Sequence, residues 1–381
     1  MKSIKALIAI LFLIFSTNLT AQNNYSRLYG YVLDSLTGDY LINTHISVQN
    51  SNQGTISNNY GFFSLLLPNG SYKINISLIG YKSKTILIDV SSDLNIEFEL
   101  VPIIYELNEI IVEDKNSTID FDYLNSYIKI NPRLNKTLPP LGGEIDILKN
   151  IQSLPGAQQG NEGTSNLHVR GGSPEHNLVL LDGVPVYNVN HLFGYLSVFN
   201  SEVIKDVKFY KDGIPSYYDG RLSSVVDISL KEGNIKESKK IINVSPISAS
   251  FTLETPIQKD KSSFITSFRR TWVDLLLSAF NKNNSKTSFN FYDLSAKYYL
   301  KVNERNKFYL SFYNSNDKYS YIHADSEERS TFFYGWKNFT PLLRWNKLLS
   351  KNLFVNTSFS FSNYTIEQEE SYTEDQYLNI K

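Results

Sequence analysis

The sequence contains no cysteine and a single methionine among its 381 residues. Without cysteine the chain forms no disulfide, and a thiolate nucleophile or a cysteine metal site is excluded. The formal net charge is −1, so the basic excess that attracts nucleic acid is missing. Aromatic residues are abundant instead, with 26 tyrosines and 23 phenylalanines, and this composition favours β structure.

Long apolar runs are also scarce. The longest early run, Ala6 to Phe15, follows Lys2 and Lys5 and precedes small and polar residues up to Ala21. This order predicts a signal peptide over residues 1–21. No later run approaches the ~20 apolar residues that a membrane-spanning helix needs. A mature protein embedded in a membrane would therefore have to cross it as a β-barrel.

The most distinctive stretch runs from Asn166 to Tyr187 and reads NLHVRGGSPEHNLVLLDGVPVY. Gly171–Gly172 permits backbone angles that a side chain would forbid. Leu178–Leu181 is an apolar run typical of a buried strand, and Asp182–Gly183 predicts a hairpin turn. Just upstream, the apolar residues of EIDILKNIQS recur at helical spacing, and Pro155–Gly156 ends the pattern.

These motifs resemble a known family. VRGG followed by LVLLDGVPVY resembles the core of the plug domain of TonB-dependent outer-membrane receptors. EIDILKNIQSLPGAQQ is similar to the family's opening helix, and VIKDVKFYKDGIPSYYDGRLSSVVDI to its closing strands. The resemblance implies an α+β plug domain over residues 141–233, seated inside a transmembrane barrel.

The region before this stretch, residues 27–102, alternates short strands with polar turns and predicts a small β-sandwich. Its motifs GYV, GT, YGFFSL and GSYKINISLIGY resemble the carboxypeptidase regulatory-like domain that precedes the plug in one branch of these receptors. A folded spacer and a partner-binding domain both remain open as its role.

Residues 103–140 form the predicted connector. Its segment LNEIIV resembles a TonB box, which would add as an extended strand to a partner's sheet. The residues of the predicted box are Leu107, Asn108, Glu109, Ile110, Ile111 and Val112. The alternative is a last edge strand of the sandwich. The rest of the connector is predicted to be a polar tether with some local helix from Phe121 to Ile130.

The resemblance also suggests roles for residues of the plug. Arg170 and Arg221 are predicted to be buried and paired with acids on the inner barrel wall, because a buried guanidinium needs a carboxylate; ordinary exposed arginines are the alternative. Structural or gating roles are further expected for Gly171, Gly172, Asp182 and Gly183. The residues expected to contact substrate at the plug apex are Tyr187, Asn190, His191 and Tyr195.

Catalytic and metal patterns are weak. Ser173, His176 and Asp182 lack the strand–turn–helix setting of a nucleophile elbow. RGGSPEH lacks the Gly-Lys-Ser/Thr ending of a phosphate loop. His168 and the two other histidines of the plug match no common metal spacing. We therefore expect a protein that is not an enzyme and needs no cofactor.

Residues 239–381 alternate apolar and polar side chains in about six predicted strands with aromatic ends. A transmembrane barrel and a water-soluble sandwich both produce this alternation. Plugged transporters have ~22 strands, and open strand edges are not viable in lipid. The chain is therefore expected to be the N-terminal part of a receptor, as a fragment or a truncated product.

The expected fold is mainly β: an N-terminal β-sandwich, an α+β plug domain and part of a transmembrane antiparallel β-barrel. The expected function is active uptake of a scarce nutrient across the outer membrane. The expected partners are a TonB-type energy-transducing protein of the inner membrane, outer-membrane lipid and a surface lipoprotein that captures substrate; nucleic acid is not expected. Two alternatives remain: a secreted or surface-attached β-domain binding protein, and a secreted enzyme with a regulatory sandwich.

Overall fold

The computed structural model describes residues 25–103, 119–122, 127–130, 144–160, 166–275, 285–324 and 328–374. The predicted signal peptide and the predicted TonB box, Leu107–Val112, lie outside these residues. Within the described ranges, no helix is both long enough and apolar enough to span a membrane.

The first domain folds into two packed sheets, as predicted. Its strands are β1 (Tyr25–Asp34), β2 (His45–Val48), β3 (Gly54–Ile56), β4 (Phe62–Pro68), β5 (Gly70–Ser77), β6 (Lys84–Val90) and β7 (Leu94–Leu100). One sheet has the order β4-β1-β7 and the other β3-β2-β5-β6. Alternate side chains of both sheets, including Leu28, Phe63, Ile74 and Phe98, pack into one buried core. We call this domain the sandwich.

The central domain, called the plug, combines one described α-helix with a mixed sheet. Its elements are β8 (Ile119–Asp122), β9 (Tyr127–Ile130), α1 (Ile147–Gln152), β10 (Ala157–Gln159), β11 (Leu167–Val169), β12 (Asn177–Leu181), β13 (Val184–Pro185), β14 (Asn190–His191), β15 (Leu196–Ser197), β16 (Ile204–Tyr210) and β17 (Ser224–Leu230). The main sheet has the order β13-β12-β17-β16-β9-β8. Asp146 caps α1 by accepting from two backbone amides, and the predicted apolar stripe is buried.

The predicted helix from Phe121 to Ile130 is wrong. These residues contribute β8 and β9, and β9 pairs antiparallel with β16 at the edge of the plug sheet. Ile128 and Ile130 lie in the plug core. The free edge of β16 supplies hydrogen bonds that no local sequence signal reveals. The plug sheet therefore begins upstream of residue 141.

The last part of the chain forms a long antiparallel sheet. Its strands are β18 (Lys239–Val244), β19 (Ser248–Gln258), β20 (Ser262–Thr271), β21 (Ser285–Asn303), β22 (Asn306–Ala324), β23 (Glu328–Ser350), β24 (Leu353–Ser360) and β25 (Asn363–Glu374). Eight strands are described, against the six predicted, and β23 reaches 23 residues. β24 and β25 both pair with β23, one along each half of it.

This sheet buries its polar face and exposes its apolar face. Buried polar residues such as Ser267, Asp293 and Lys297 alternate with exposed apolar residues such as Phe268, which is 45% exposed, and Leu310, which is 53% exposed. A water-soluble sandwich has the opposite arrangement. An apolar outer face with a polar interior is the pattern of a transmembrane barrel, as expected from the sequence. We call the buried polar face the wall.

Candidate functional site at the plug–wall contact

A single strand of the wall shows how the three parts meet. Alternate residues of β21 point inward, because side chains along a strand alternate between its two faces. Asp293 and Lys297 contact the plug, and two residues further on Tyr299 contacts the sandwich. The plug and the sandwich therefore occupy successive levels of the same interior.

One plug–wall contact is built on the predicted hairpin turn. Asp182 and Gly183 have φ values of 51° and 82°, as a tight hairpin between β12 and β13 requires. The turn directs the Asp182 carboxylate, only 4% exposed, toward the wall, where the Nζ atom of Lys297 lies 3.0 Å away. Ser311 donates to the same carboxylate at 2.8 Å.

The electrostatics of this contact favour an ionised carboxylate. Burial alone would raise the pKa of Asp182, but Lys297 and Arg344 outweigh it, and the pKa lies below its usual value. The backbone amide of Leu230 also donates to the carboxylate, at 2.9 Å. Arg344 donates to the backbone carbonyl of Asp182, so two wall cations hold one turn of the plug.

A second contact lies nearer the apex of the plug. His191 is fully buried, with its Nδ1 atom 2.8 Å from Asp317 and its Nε2 atom 3.1 Å from Asp293. Burial alone would lower the pKa of His191, but Asp317 and Asp293 outweigh it and raise the pKa above its usual value. An imidazolium donates from both nitrogens, which suits a position between two carboxylates.

Arg269 of β20 extends the second contact. Its guanidinium donates to Asp293 at 2.8 Å, to Glu144 at 2.8 Å and to the backbone carbonyl of Ser197 at 2.7 Å. The backbone amide of Ser197 in turn donates to Asp146, the cap of α1. A continuous set of charged and hydrogen-bonded groups therefore joins the wall to α1 and to residues 190–197 of the plug, which we call the apical loop.

The prediction that Arg170 and Arg221 are buried and paired with wall acids is wrong. The Arg170 side chain is 57% exposed and pairs with Asp212 of the plug itself. Arg221 is exposed, and its guanidinium lies 5.8 Å from the ring of Tyr187. Arg170 has a φ of 50° and starts a surface turn, so its side chain does not reach the wall. The charged residues that join the plug to the wall include Asp182, His191 and Glu144 instead.

Two of the three predicted structural glycines, Gly171 and Gly172, belong to that surface turn. Gly171 has a φ of 79°, which favours glycine. A Cβ atom on Gly172 would lie 2.5 Å from the Oγ atom of Ser223. The amide of Gly172 closes the turn by donating to Val169 at 2.9 Å.

The four residues expected to bind substrate have different environments. Tyr187 is 39% exposed. Tyr195 is half-buried, and the Nζ atom of Lys149 lies 4.6 Å from its ring centre. Asn190 and His191 are buried, so neither is open to a ligand in this structure.

The apical loop carries an exposed ring that was not among the predicted site residues. Phe193 is 56% exposed and has a φ of 52°, an unusual backbone conformation for a phenylalanine. Its ring contacts Phe289, Tyr319 and Trp336 of the wall at centroid distances of 5.4–5.9 Å. The sequence signal that could have identified this ring is a phenylalanine followed by glycine in a polar loop. The structure thus brings plug and wall aromatics together at the apex.

The histidines of the plug do not converge. His168 contacts the carbonyl of Gly172, and His176 contacts the amide of Ser173, while His191 faces the wall. Among the described residues, no group of three or more His, Asp or Glu side chains is arranged to hold a metal ion.

Comparison with known protein families finds two matching domains in the chain. Residues 28–112 match the model of the CarboxypepD_reg-like domain, and residues 143–225 match that of the TonB-dependent Receptor Plug Domain. No curated protein sequence matches the chain.

Solved structures with similarity include two siderophore receptors and one outer membrane transporter. The siderophore receptor PirA from Pseudomonas aeruginosa is 17% identical, with 65% of this chain and 53% of that chain covered and a TM-score of 0.37. PirA from Acinetobacter baumannii is 14% identical, with 63% and 48% covered and a TM-score of 0.38. The outer membrane transporter YddB from Escherichia coli is 12% identical, with 65% and 46% covered and a TM-score of 0.38. The chain spans about half the length of these structures.

Proposed function

Because the chain carries a carboxypeptidase regulatory-like domain and then a TonB-dependent receptor plug domain, we propose that it acts as an outer-membrane receptor for active uptake of a scarce nutrient. In this proposal a TonB-type protein of the inner membrane pulls on the Leu107–Val112 segment. The force loosens the plug, and the nutrient passes along the wall.

The observation that carries the proposal is the arrangement of the sheet around the plug. The outward face is apolar, as a lipid environment requires, and the inward face binds the plug through Asp182 and His191. These contacts are polar, so water can replace them when the plug moves. Such a plug can be held firmly at rest and still be released.

The aromatic apex supports a ligand-binding role on the side away from the sandwich. Tyr187 and Phe193 expose their rings there, and Trp336 lies beside Phe193. Rings of this kind stack on planar or sugar surfaces. A siderophore, a glycan, a peptide and a vitamin are all compatible with it, and a surface lipoprotein could deliver any of them.

The expected location gives the first test. The protein, expressed from its full gene, should fractionate with the outer membrane and resist extraction by carbonate, because its outward face is apolar. Recovery in the soluble periplasmic fraction would reject the proposal.

Accumulation of labelled siderophores, glycans, peptides and vitamins should then be compared in cells with and without a protonophore. Uptake of one class that stops when the inner membrane is de-energised supports the receptor. Binding without energy-dependent accumulation would favour the alternative of a β-domain binding protein.

Substitution Ile110→Pro tests the TonB box. Proline removes a backbone donor, so the segment should no longer add as a strand to the TonB-type protein. We expect loss of co-purification with that protein and loss of uptake, while ligand binding persists. Ile110→Val keeps the donor and the β preference and serves as the matched control. Equal behaviour of the two variants would remove the assignment.

A further inference from the structure

The sandwich lies against the end of the sheet that carries the turns from β21 to β22 and from β23 to β24. Ser64 donates to the backbone carbonyl of Lys351, in the turn between β23 and β24, at 3.0 Å. The side chain of Lys351 pairs with Asp93. Near the turn between β21 and β22, Lys301 pairs with Glu97 at 3.3 Å. The longest connection of the sheet, residues 272–284 between β20 and β21, lies at the opposite end. Longer loops mark the extracellular end of outer-membrane barrels, so the sandwich is at the exit side of the interior.

The sandwich reaches inward from this end. Tyr40 is 2% exposed, and its hydroxyl lies 3.0 Å from that of Tyr299 on the wall. Phe62 stacks on Phe354 with ring centres 5.5 Å apart. These rings form a buried cluster with Tyr309. The sandwich therefore occupies space directly inside the wall, below the plug.

The sandwich also closes against the base of the plug. The amide of Glu232, just after β17, donates to Asp39 at 3.2 Å, and both carboxyl groups are buried. Burial and the neighbouring Glu232 raise the pKa of Asp39 above its usual value. Three residues further on, the amide of Ile235 donates to Thr37 at 3.0 Å. A path that leaves the plug along this side meets the sandwich.

The part of the wall that the sandwich covers carries polar groups that water could also bind. Lys307 is 1% exposed, and its ammonium lies over the rings of Tyr31 and Tyr40. Among the described residues, the Nζ atom of Lys307, the hydroxyl of Tyr309 and the amide of Asn346 have no hydrogen-bond partner. Water would satisfy all three if the sandwich left. The docked sandwich thus lacks the fully satisfied, apolar contact of a permanent interface.

We propose that the sandwich is a removable second barrier: docked, it closes the exit end of the interior below the plug, and passage requires it to leave the wall. The inference rests on the proposed receptor function, but the barrier itself is a property of the protein without energy or nutrient. It gives the sandwich a role beyond that of a spacer.

The absence of cysteine from these 381 residues allows a direct test. Ser64→Cys and Lys351→Cys introduce one thiol on each side of the interface between the sandwich and the wall. A short, reducible bis-maleimide can then join them. The pair is introduced into the full-length protein together with Asp182→Asn and His191→Gln, which weaken the plug–wall contact. Potassium chloride conductance is then recorded in planar bilayers, with no nutrient or TonB-type protein present.

Crosslinked protein should conduct no more than protein with an unmodified plug, and addition of a reductant should raise its conductance. Each single-cysteine variant, treated with the same reagent, should show no change on reduction. If the crosslinked double-cysteine protein had the same conductance before and after reduction, whether that conductance was low or high, the proposal would be overturned. A failure of TonB-dependent uptake would contradict the receptor function and leave this result unaffected.

A point substitution gives a second, independent measurement. Tyr40→Ala removes the ring that contacts Tyr299 and Lys307, so it should raise the conductance of the plug-weakened protein. Tyr25→Ala makes the same change at a position of the sandwich that is 57% exposed and serves as the control. Equal conductance of the Tyr40→Ala and Tyr25→Ala proteins would also contradict the proposed barrier.

Discussion

Asp182→Asn is expected to weaken the attachment of the plug to the wall by about 3–5 kcal/mol, the usual cost of removing one partner of a buried ion pair. Asparagine tolerates the positive φ of 51° and can still accept from the backbone, so the turn itself should persist. Lys297, at 3% side-chain exposure, loses its carboxylate partner. The loss should appear as faster hydrogen exchange of β12 and β13 and as higher conductance in bilayers.

Arg170→Ala is the matched control for this variant. It breaks an ion pair of the same plug whose side chains are 57% and 47% exposed. Exposed pairs contribute about 0–1 kcal/mol, so exchange and conductance should remain near those of the unmodified protein. The double variant Asp182→Asn with Lys297→Met should recover part of the loss, because no unpaired cation remains buried. Equal effects of Asp182→Asn and Arg170→Ala would refute the assignment of Asp182 as a buried plug–wall contact.

The second large effect is expected at His191 and depends on pH. The folded-state pKa of His191 lies above the usual value of about 6.5. The stability that its charge contributes is therefore fully present below the usual pKa of about 6.5. It is lost as pH rises through the higher folded-state pKa. The plug should be attached more firmly at mildly acidic pH than at alkaline pH. Hydrogen exchange of β14 and β15, measured across this range, should show the change.

His191→Gln should abolish this pH dependence and loosen the plug. A neutral amide leaves Asp317 and Asp293 without a cationic partner from the plug, a loss of about 3–5 kcal/mol for a buried pair. Arg269 still contacts Asp293, so the loss should be smaller than if both acids were left alone. His176→Gln makes the same change where the imidazole accepts from a backbone amide, Ser173 N, at 3.3 Å. If both variants retained the same pH profile, the His191 contact would not be the titrating group.

Much of the fold could be predicted because its signals are local. The strands of the sandwich follow from alternation between turns, and the Asp182–Gly183 hairpin follows from two residues that accept positive φ. The helix at Ile147 follows from apolar spacing and a stop at Pro155. Each of these features depends on residues that are close in sequence, so the pattern contains the information.

The failures share a different cause. The connector residues Tyr127–Ile130 pair with β16, which lies more than seventy positions along the chain. Asp182 finds its cation 115 positions away, at Lys297. The sequence favoured an arginine beside glycine for the buried pair, but the surface turn directs the Arg170 side chain outward. Separations of this size leave no periodic trace in a sequence.

The sequence by itself determined the order of domains, the β character of each and the alternation of polar and apolar side chains along the wall strands. The tertiary structure alone decided which face of those strands is buried, because alternation is the same whichever face points inward. It also decided which charges hold the plug and where the sandwich docks. A buried charge is stable only beside a partner of opposite charge, and partners in this protein come from strands far apart in the chain.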